Sequence, residues 1–131
     1  MFVDASAMCA VLLAEADADA FAGKLAAAAH RRTSPVAVFE TVLAVSKWIG
    51  GDMTLARSKV TEFLRIADIE LSAIGMAELA LALDAHERYG KGRHPARLNM
   101  GDCFAYACAK TQGAPLLFKG DDFSKTDVAI A

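Results

Sequence analysis

The 131-residue sequence contains no uncharged apolar run approaching the ~18 residues that cross a bilayer. It also has no basic stretch ahead of an apolar one at the N-terminus: the first charge is Asp4 and the first cation is Lys24. A membrane span and a secretory leader are therefore not expected, and the chain is expected to act in the cytoplasm. Cysteine is scarce, at three residues. Cys9, Cys103 and Cys108 form an odd set without C-x-x-C spacing, and they sit among apolar neighbours such as Met8, Ala10 and Tyr106. They read as small buried hydrophobes rather than a zinc site or a disulfide framework. Repeats, linkers and low-complexity segments are missing, apart from alanine-rich stretches. Charged residues make up 23%, too many apolar positions accompany them for disorder, and the net charge of −2 argues neither for nor against a nucleic-acid partner.

What is present is a 55% hydrophobic chain in which 28 residues are alanine. Alanine adds helix propensity more than burial energy, so the composition suggests several helices packed closely on something small. The length fits one domain over residues 1–131. Met1-Phe2-Val3 reads as a strand ending at Asp4, followed by a helix to about Leu13. Ala16 to His30 reads as a second helix and Arg32-Thr33-Ser34 as a short strand. Pro35 opens a helix to about Ile49, ended by Gly50-Gly51. Asp52 or Thr54 caps the next, to about Ala67. Ile69-Glu70-Leu71 is a strand, Met76 to Tyr89 a helix ended by Gly90, Lys91 to Met100 a polar loop and Gly101 to Thr111 a helix. Leu116-Leu117-Phe118 is a strand, Gly120 to Phe123 a turn, and Val128-Ala129-Ile130 a last short strand. Short strands alternating with helices predict an α/β fold with a small, mainly parallel sheet of four to five strands covered on both faces. In such sheets, sites form at the carboxyl ends of strands.

Most of the 16 acidic residues read as solvated helix faces, among them Glu15 and Asp17. A few are out of place. Asp4 follows Phe2-Val3. Glu40 has Val36, Ala37, Leu43 and Ala44 as its helical neighbours. Asp102 opens an apolar helix, and Asp121-Asp122 follows a buried-looking strand. An unpaired buried carboxylate costs several kcal/mol, so each needs a cation, a set of hydrogen bonds or a pocket open to water. Capping explains Asp102 and Asp121 taken singly; it does not explain Glu40 in mid-helix. Together, these segments can meet at one sheet edge as an acidic pocket. Such a pocket repels a phosphodiester unless a hard divalent cation occupies it, and with that cation it can activate water. From Arg88 to Arg97 run four cations, Arg88, Lys91, Arg93 and Arg97, with His94 and Tyr89 between them. This stretch reads either as a phosphate-binding arm just before Asp102 or as an ordinary solvated loop. Lys119 can neutralise Asp121 or touch phosphate.

The chain resembles the PIN-domain ribonucleases, and specifically the VapC toxins of bacterial toxin–antitoxin pairs. The resemblance rests on Phe2-Val3-Asp4-Ala5-Ser6-Ala7 and on Glu40 six residues after Ser34. It rests also on Tyr89-Gly90-Lys91-Gly92-Arg93-His94 leading into Leu98-Asn99-Met100-Gly101-Asp102-Cys103-Phe104, and on Pro115 through Phe123. It implies a three-layer PIN-like fold and a Mg²⁺-dependent endoribonuclease, with Mn²⁺ as substitute, acting as a toxin. By position, Asp4, Glu40 and Asp102 match the family's acidic metal site, with Asp121 or Asp122 as the fourth acid. Ser6 matches a small hydroxyl residue beside these acids, and Asn99 falls in the motif as a helix cap. The resemblance also implies an RNA substrate, a homodimer and a cognate VapB-like antitoxin whose tail blocks the site. Two other functions fit parts of the pattern. One is a haloacid-dehalogenase-like phosphatase using Asp4 as nucleophile, which usually wants Asp where this chain has Ser6. The other is a non-enzymatic receiver-like module, which needs neither Glu40 nor the cationic arm.

Overall fold

The computed structural model describes residues 1–131. Four strands, β1 (Phe2–Val3), β2 (Arg31–Thr33), β3 (Ile69–Leu71) and β4 (Leu116–Leu117), pair in parallel in the order β3-β2-β1-β4. Six helices surround them: α1 (Ala5–Leu12), α2 (Ala18–Ala27), α3 (Pro35–Trp48), α4 (Met53–Ile66), α5 (Met76–Tyr89) and α6 (Met100–Thr111). Side chains alternate across a strand, and two-residue strands suffice to build both faces. Phe2 and Leu116 join the cluster formed with α5 and α6, including Ala82, Ala85, Tyr106 and Cys108. Val3 and Leu117 face the other way, onto Met8, Leu25 and Ala37. The result is the expected α/β three-layer arrangement.

The chain lays down β1, β2 and β3 in one direction, then returns to place β4 on the far side of β1. Connections therefore leave β1 and β4 in opposite directions, opening a crevice at their carboxyl ends. Asp4 follows β1 there, and the segment from Phe118 to Phe123 follows β4.

Some boundaries differ from the sequence reading. The second helix covers Ala18–Ala27 rather than Ala16 to His30, because Arg31 ends it: its guanidinium donates to the carbonyls of Leu25 (3.0 Å) and Ala28 (3.1 Å). These carbonyls lie at the helix end, where intrahelical donors run out; that of Leu25 also accepts from the Ala28 amide. The second strand covers Arg31–Thr33 rather than Arg32 to Ser34, and it ends one residue early because Ser34 leaves it to cap α3, with Oγ accepting from the Ala37 amide. Phe118 lies outside β4, and the expected strand at Val128–Ile130 reduces to one parallel bridge between Leu116 and Ile130. The sixth helix starts at Met100, one residue early, because Asn99 takes the capping position. No helix is long and apolar enough to cross a membrane.

Candidate active site

Each acidic residue is placed by a local rule. Asp4 ends β1 and caps α1: its Oδ2 accepts from the Ser6 amide (2.9 Å) and from Ser6 Oγ (2.5 Å). The Ser6 hydroxyl in turn accepts from the Lys119 amide at 2.9 Å, which ties the β1 end to the β4 end. Glu40 stands on the second turn of α3, whose start is fixed by the Ser34 cap and Pro35 in the first turn. Asp102 belongs to a reciprocal cap. Asn99 Oδ1 accepts from the Asp102 amide (3.0 Å), and Asp102 Oδ2 accepts from the Asn99 amide (2.8 Å). Capping thus occupies Oδ2 of both Asp4 and Asp102. The capping explanation for Asp102 is real, yet it uses only one of the two carboxylate oxygens.

The acids are felt electrostatically. Burial pushes the Asp4 carboxyl above its ordinary range, against the opposing hydrogen bonds from Ser6. Burial, then the charges of Asp4 and Asp102, push Glu40 up to about 7. Burial, then the charges of Asp4 and Asp122 against the Asn99 hydrogen bond, push Asp102 up to about 6. None of Asp4, Glu40, Asp102 or Asp122 takes part in an ion pair. The convergence is nonetheless looser than a closed cage: no three His, Cys, Asp or Glu side chains stand close enough to enclose an ion by themselves.

The two aspartates after β4 have different surroundings. Asp121 is 78% exposed and pairs with Lys125 Nζ at 3.1 Å, which holds its carboxyl below the usual range. Asp122 precedes the buried Phe123, whose ring packs edge-on against Phe118 with centroids 4.9 Å apart. Asp122 lines an open polar cavity of about 270 Å³ with Asp102, Asn99, Lys91 and Arg97. Lys91 and Arg97 of the cationic arm therefore reach the acids. Arg97 does so from a left-handed backbone (φ +56°), and the arm is closed by a bridge between Gly90 and Leu98. Arg93 is exposed and does not line this cavity. Arg88 turns instead to the Tyr89 hydroxyl at 2.8 Å and to Asp127 at 4.0 Å.

Lys119 does not reach Asp121. Its Nζ pairs with Asp17 at 2.9 Å and with Glu15, two acids that read from sequence as solvated. Both lie more than a hundred residues away in the chain, so nothing local signals the pairing. Gly101 was also missed. A Cβ added there would fall 2.1 Å from Glu40 Oε1, so the Glu40 carboxylate rests against this glycine. Its signal was available: a glycine in the first turn of a helix otherwise rich in alanine.

Residues 1–129 match the PIN domain family. The chain belongs to that family and, within it, to the VapC ribonucleases of toxin–antitoxin systems. It is 40% identical over 129 residues to a ribonuclease VapC of Mycolicibacterium smegmatis, covering 98% of each chain. It has the same identity to ribonuclease VapC30 of Mycobacterium tuberculosis, covering 98% of this chain and 96% of that one. A VapC ribonuclease of Rhizobium meliloti is 38% identical over 139 residues. Among solved structures, the M. tuberculosis toxin VapC20, described as cleaving the sarcin–ricin loop, superposes with a TM-score of 0.79 at 15% identity. It covers 99% of this chain and 97% of the other. A toxin–antitoxin complex from Klebsiella pneumoniae gives a TM-score of 0.68 at 14% identity, covering 99% and 95%. These two structural likenesses speak to the fold.

Proposed function

We propose that the chain is a single-domain cytoplasmic endoribonuclease toxin that depends on a divalent cation, with Asp4, Glu40, Asp102 and Asp122 as its acidic site. The observation that carries this reading is that burial raises the proton affinity of Asp4, Glu40 and Asp102, and that neither they nor Asp122 form an ion pair. Proteins rarely keep such a group unless a ligand offsets it. The donors are all oxygen and the cavity is open and polar, which fits Mg²⁺ or Mn²⁺. Mg²⁺ typically takes one or two carboxylates and keeps several waters, so a site looser than a cage is no obstacle.

Bound there, the cation would supply a low-pKa water and charge for the leaving oxygen. The chain's own residues do the rest. Ser6 and the Lys119 amide fix the Asp4 rotamer by hydrogen bonds. Asn99 fixes that of Asp102. Lys91 and Arg97 line the cavity at Asp102 and Asp122 and are placed to hold an RNA phosphate. Arg93, exposed on the same arm, adds positive charge beside the cavity; Arg88 and Lys119, already paired, have less charge to offer. Asp122 suits the fourth position better than Asp121, which Lys125 neutralises. A homodimer and a VapB-like antitoxin complete the proposal. The Klebsiella pneumoniae toxin–antitoxin complex, which shares the fold, supports the second of these.

Cleavage of RNA by the chelator-treated protein, with Mg²⁺ or Mn²⁺ restored stepwise, tests this. Activity unaffected by EDTA overturns it. An acid-labile phosphate trapped on Asp4 would support the phosphatase chemistry instead.

A further inference from the structure

We propose that Gly101 is the positioning residue that seats Glu40 in the acidic site. The inference rests on the reading of Glu40 as a metal-site acid. Glycine in a helix is unfavourable compared with alanine, so a glycine in α6 calls for a reason. Its backbone is not in the left-handed region, so the conformational freedom of glycine is not being used. What is used is the missing side chain. A Cβ at Gly101 would lie 2.1 Å from Glu40 Oε1, 2.4 Å from Oε2 and 2.5 Å from Cδ. No real Cβ tolerates such distances. Gly23, within α2, shows the contrast: a Cβ there meets nothing within 4 Å.

The neighbour at Gly101 is the far end of a flexible side chain, not backbone. An alanine there is therefore accommodated by moving the Glu40 carboxylate, and the fold need not yield. Gly101 thus acts through Glu40: it leaves the room in which the carboxylate lies beside the α6 turn that carries Asp102.

Three variants separate the possibilities: Gly101→Ala, Glu40→Gln and, as a control, Gly23→Ala. Each is melted in EDTA and then with increasing Mn²⁺, and the midpoint of the Mn²⁺-induced rise in melting temperature is read. Gly101→Ala is expected to melt in EDTA no lower than wild type. Its Mn²⁺ midpoint is expected to rise at least tenfold, as for Glu40→Gln, with no further loss when Gly101→Ala and Glu40→Gln are combined in one chain. Gly23→Ala should respond to Mn²⁺ as wild type does. If Gly101→Ala responds like wild type while Glu40→Gln does not, the seating role is overturned. If Glu40→Gln itself responds like wild type, the assignment of Glu40 to the metal site fails instead, and the seating role with it. Should Gly101→Ala fail to fold, Gly101→Ala in a Glu40→Ala background must recover folding, because the three atoms nearest the added Cβ all belong to that side chain; failure of this pair also overturns the proposal.

Discussion

Replacing Glu40 by glutamine should make the metal-free protein more stable, and only at high enough pH. The carboxyl of Glu40 is raised from an ordinary 4.5 to about 7 by burial and by the charges of Asp4 and Asp102. Between those two values the folded chain holds a proton that the unfolded chain has lost, so stability falls as pH rises. Below about 4.5 both states are protonated and no penalty exists; above about 7 the penalty is complete. A displacement of this size corresponds to about 3 kcal/mol. Solvent screening of a carboxylate that is only partly buried reduces this to about 1–2 kcal/mol. Glutamine keeps the shape and removes the charge. Thermal melts in EDTA should therefore show Glu40→Gln above wild type by about 3–8 °C at pH 8, with the gap narrowing on acidification and closing near pH 4. Mn²⁺ at the wild-type midpoint concentration should raise wild type at pH 8 and move the variant far less. A variant less stable than wild type across the whole range would refute the reasoning, since it would mean that the charge has a stabilising partner.

Further outcomes follow from the same geometry. Asp4→Asn should lower RNA cleavage at least a hundredfold while circular dichroism stays native, because asparagine can still accept from the Ser6 amide. Ser6→Ala should lower cleavage less, by roughly tenfold, about 1.4 kcal/mol of lost positioning, and a full loss would show that the hydroxyl does more than orient Asp4. Arg97→Asn keeps a residue tolerant of the left-handed backbone. It should weaken RNA binding and reduce the salt slope of log Kd by about 0.7, the value for one phosphate contact on a single strand; an unchanged slope would remove Arg97 from the interface. Asp121→Asn should leave cleavage near wild type, whereas Asp122→Asn should reduce it, and the reverse order would make Asp121 the fourth acid.

The fold was largely legible because β1 and β4 are apolar, short and punctuated, and because Pro35, Asn99 and Gly90 announce helix ends chemically. What was lost at the boundaries was lost to partners remote from them. Arg31 trims α2 from outside the helix. The strand expected at Val128–Ile130 lacks a neighbour beyond Leu116 with which to form a ladder. In the site, Asp4, Glu40 and Asp102 stood out because charge on an apolar face is costly. Their convergence follows from the return of the chain to β4, which periodicity does not reveal. The partner of Lys119 was hidden for the same reason: Asp17 is local to nothing near residue 119. The distinction between Asp121 and Asp122 turned on Lys125, four residues on, a spacing that was readable in the sequence.

In the proposed function these carboxylates hold a divalent cation for RNA cleavage. Its most direct test is cleavage by chelator-treated wild type and by Asp102→Asn, side by side, across a Mg²⁺ titration with contaminating nuclease excluded. Wild type is predicted to be inactive without metal and to recover in proportion to site occupancy, while the variant stays at least a hundredfold lower at every concentration. Wild-type cleavage in EDTA, or an Asp102→Asn protein that cuts as well as wild type, would contradict the account.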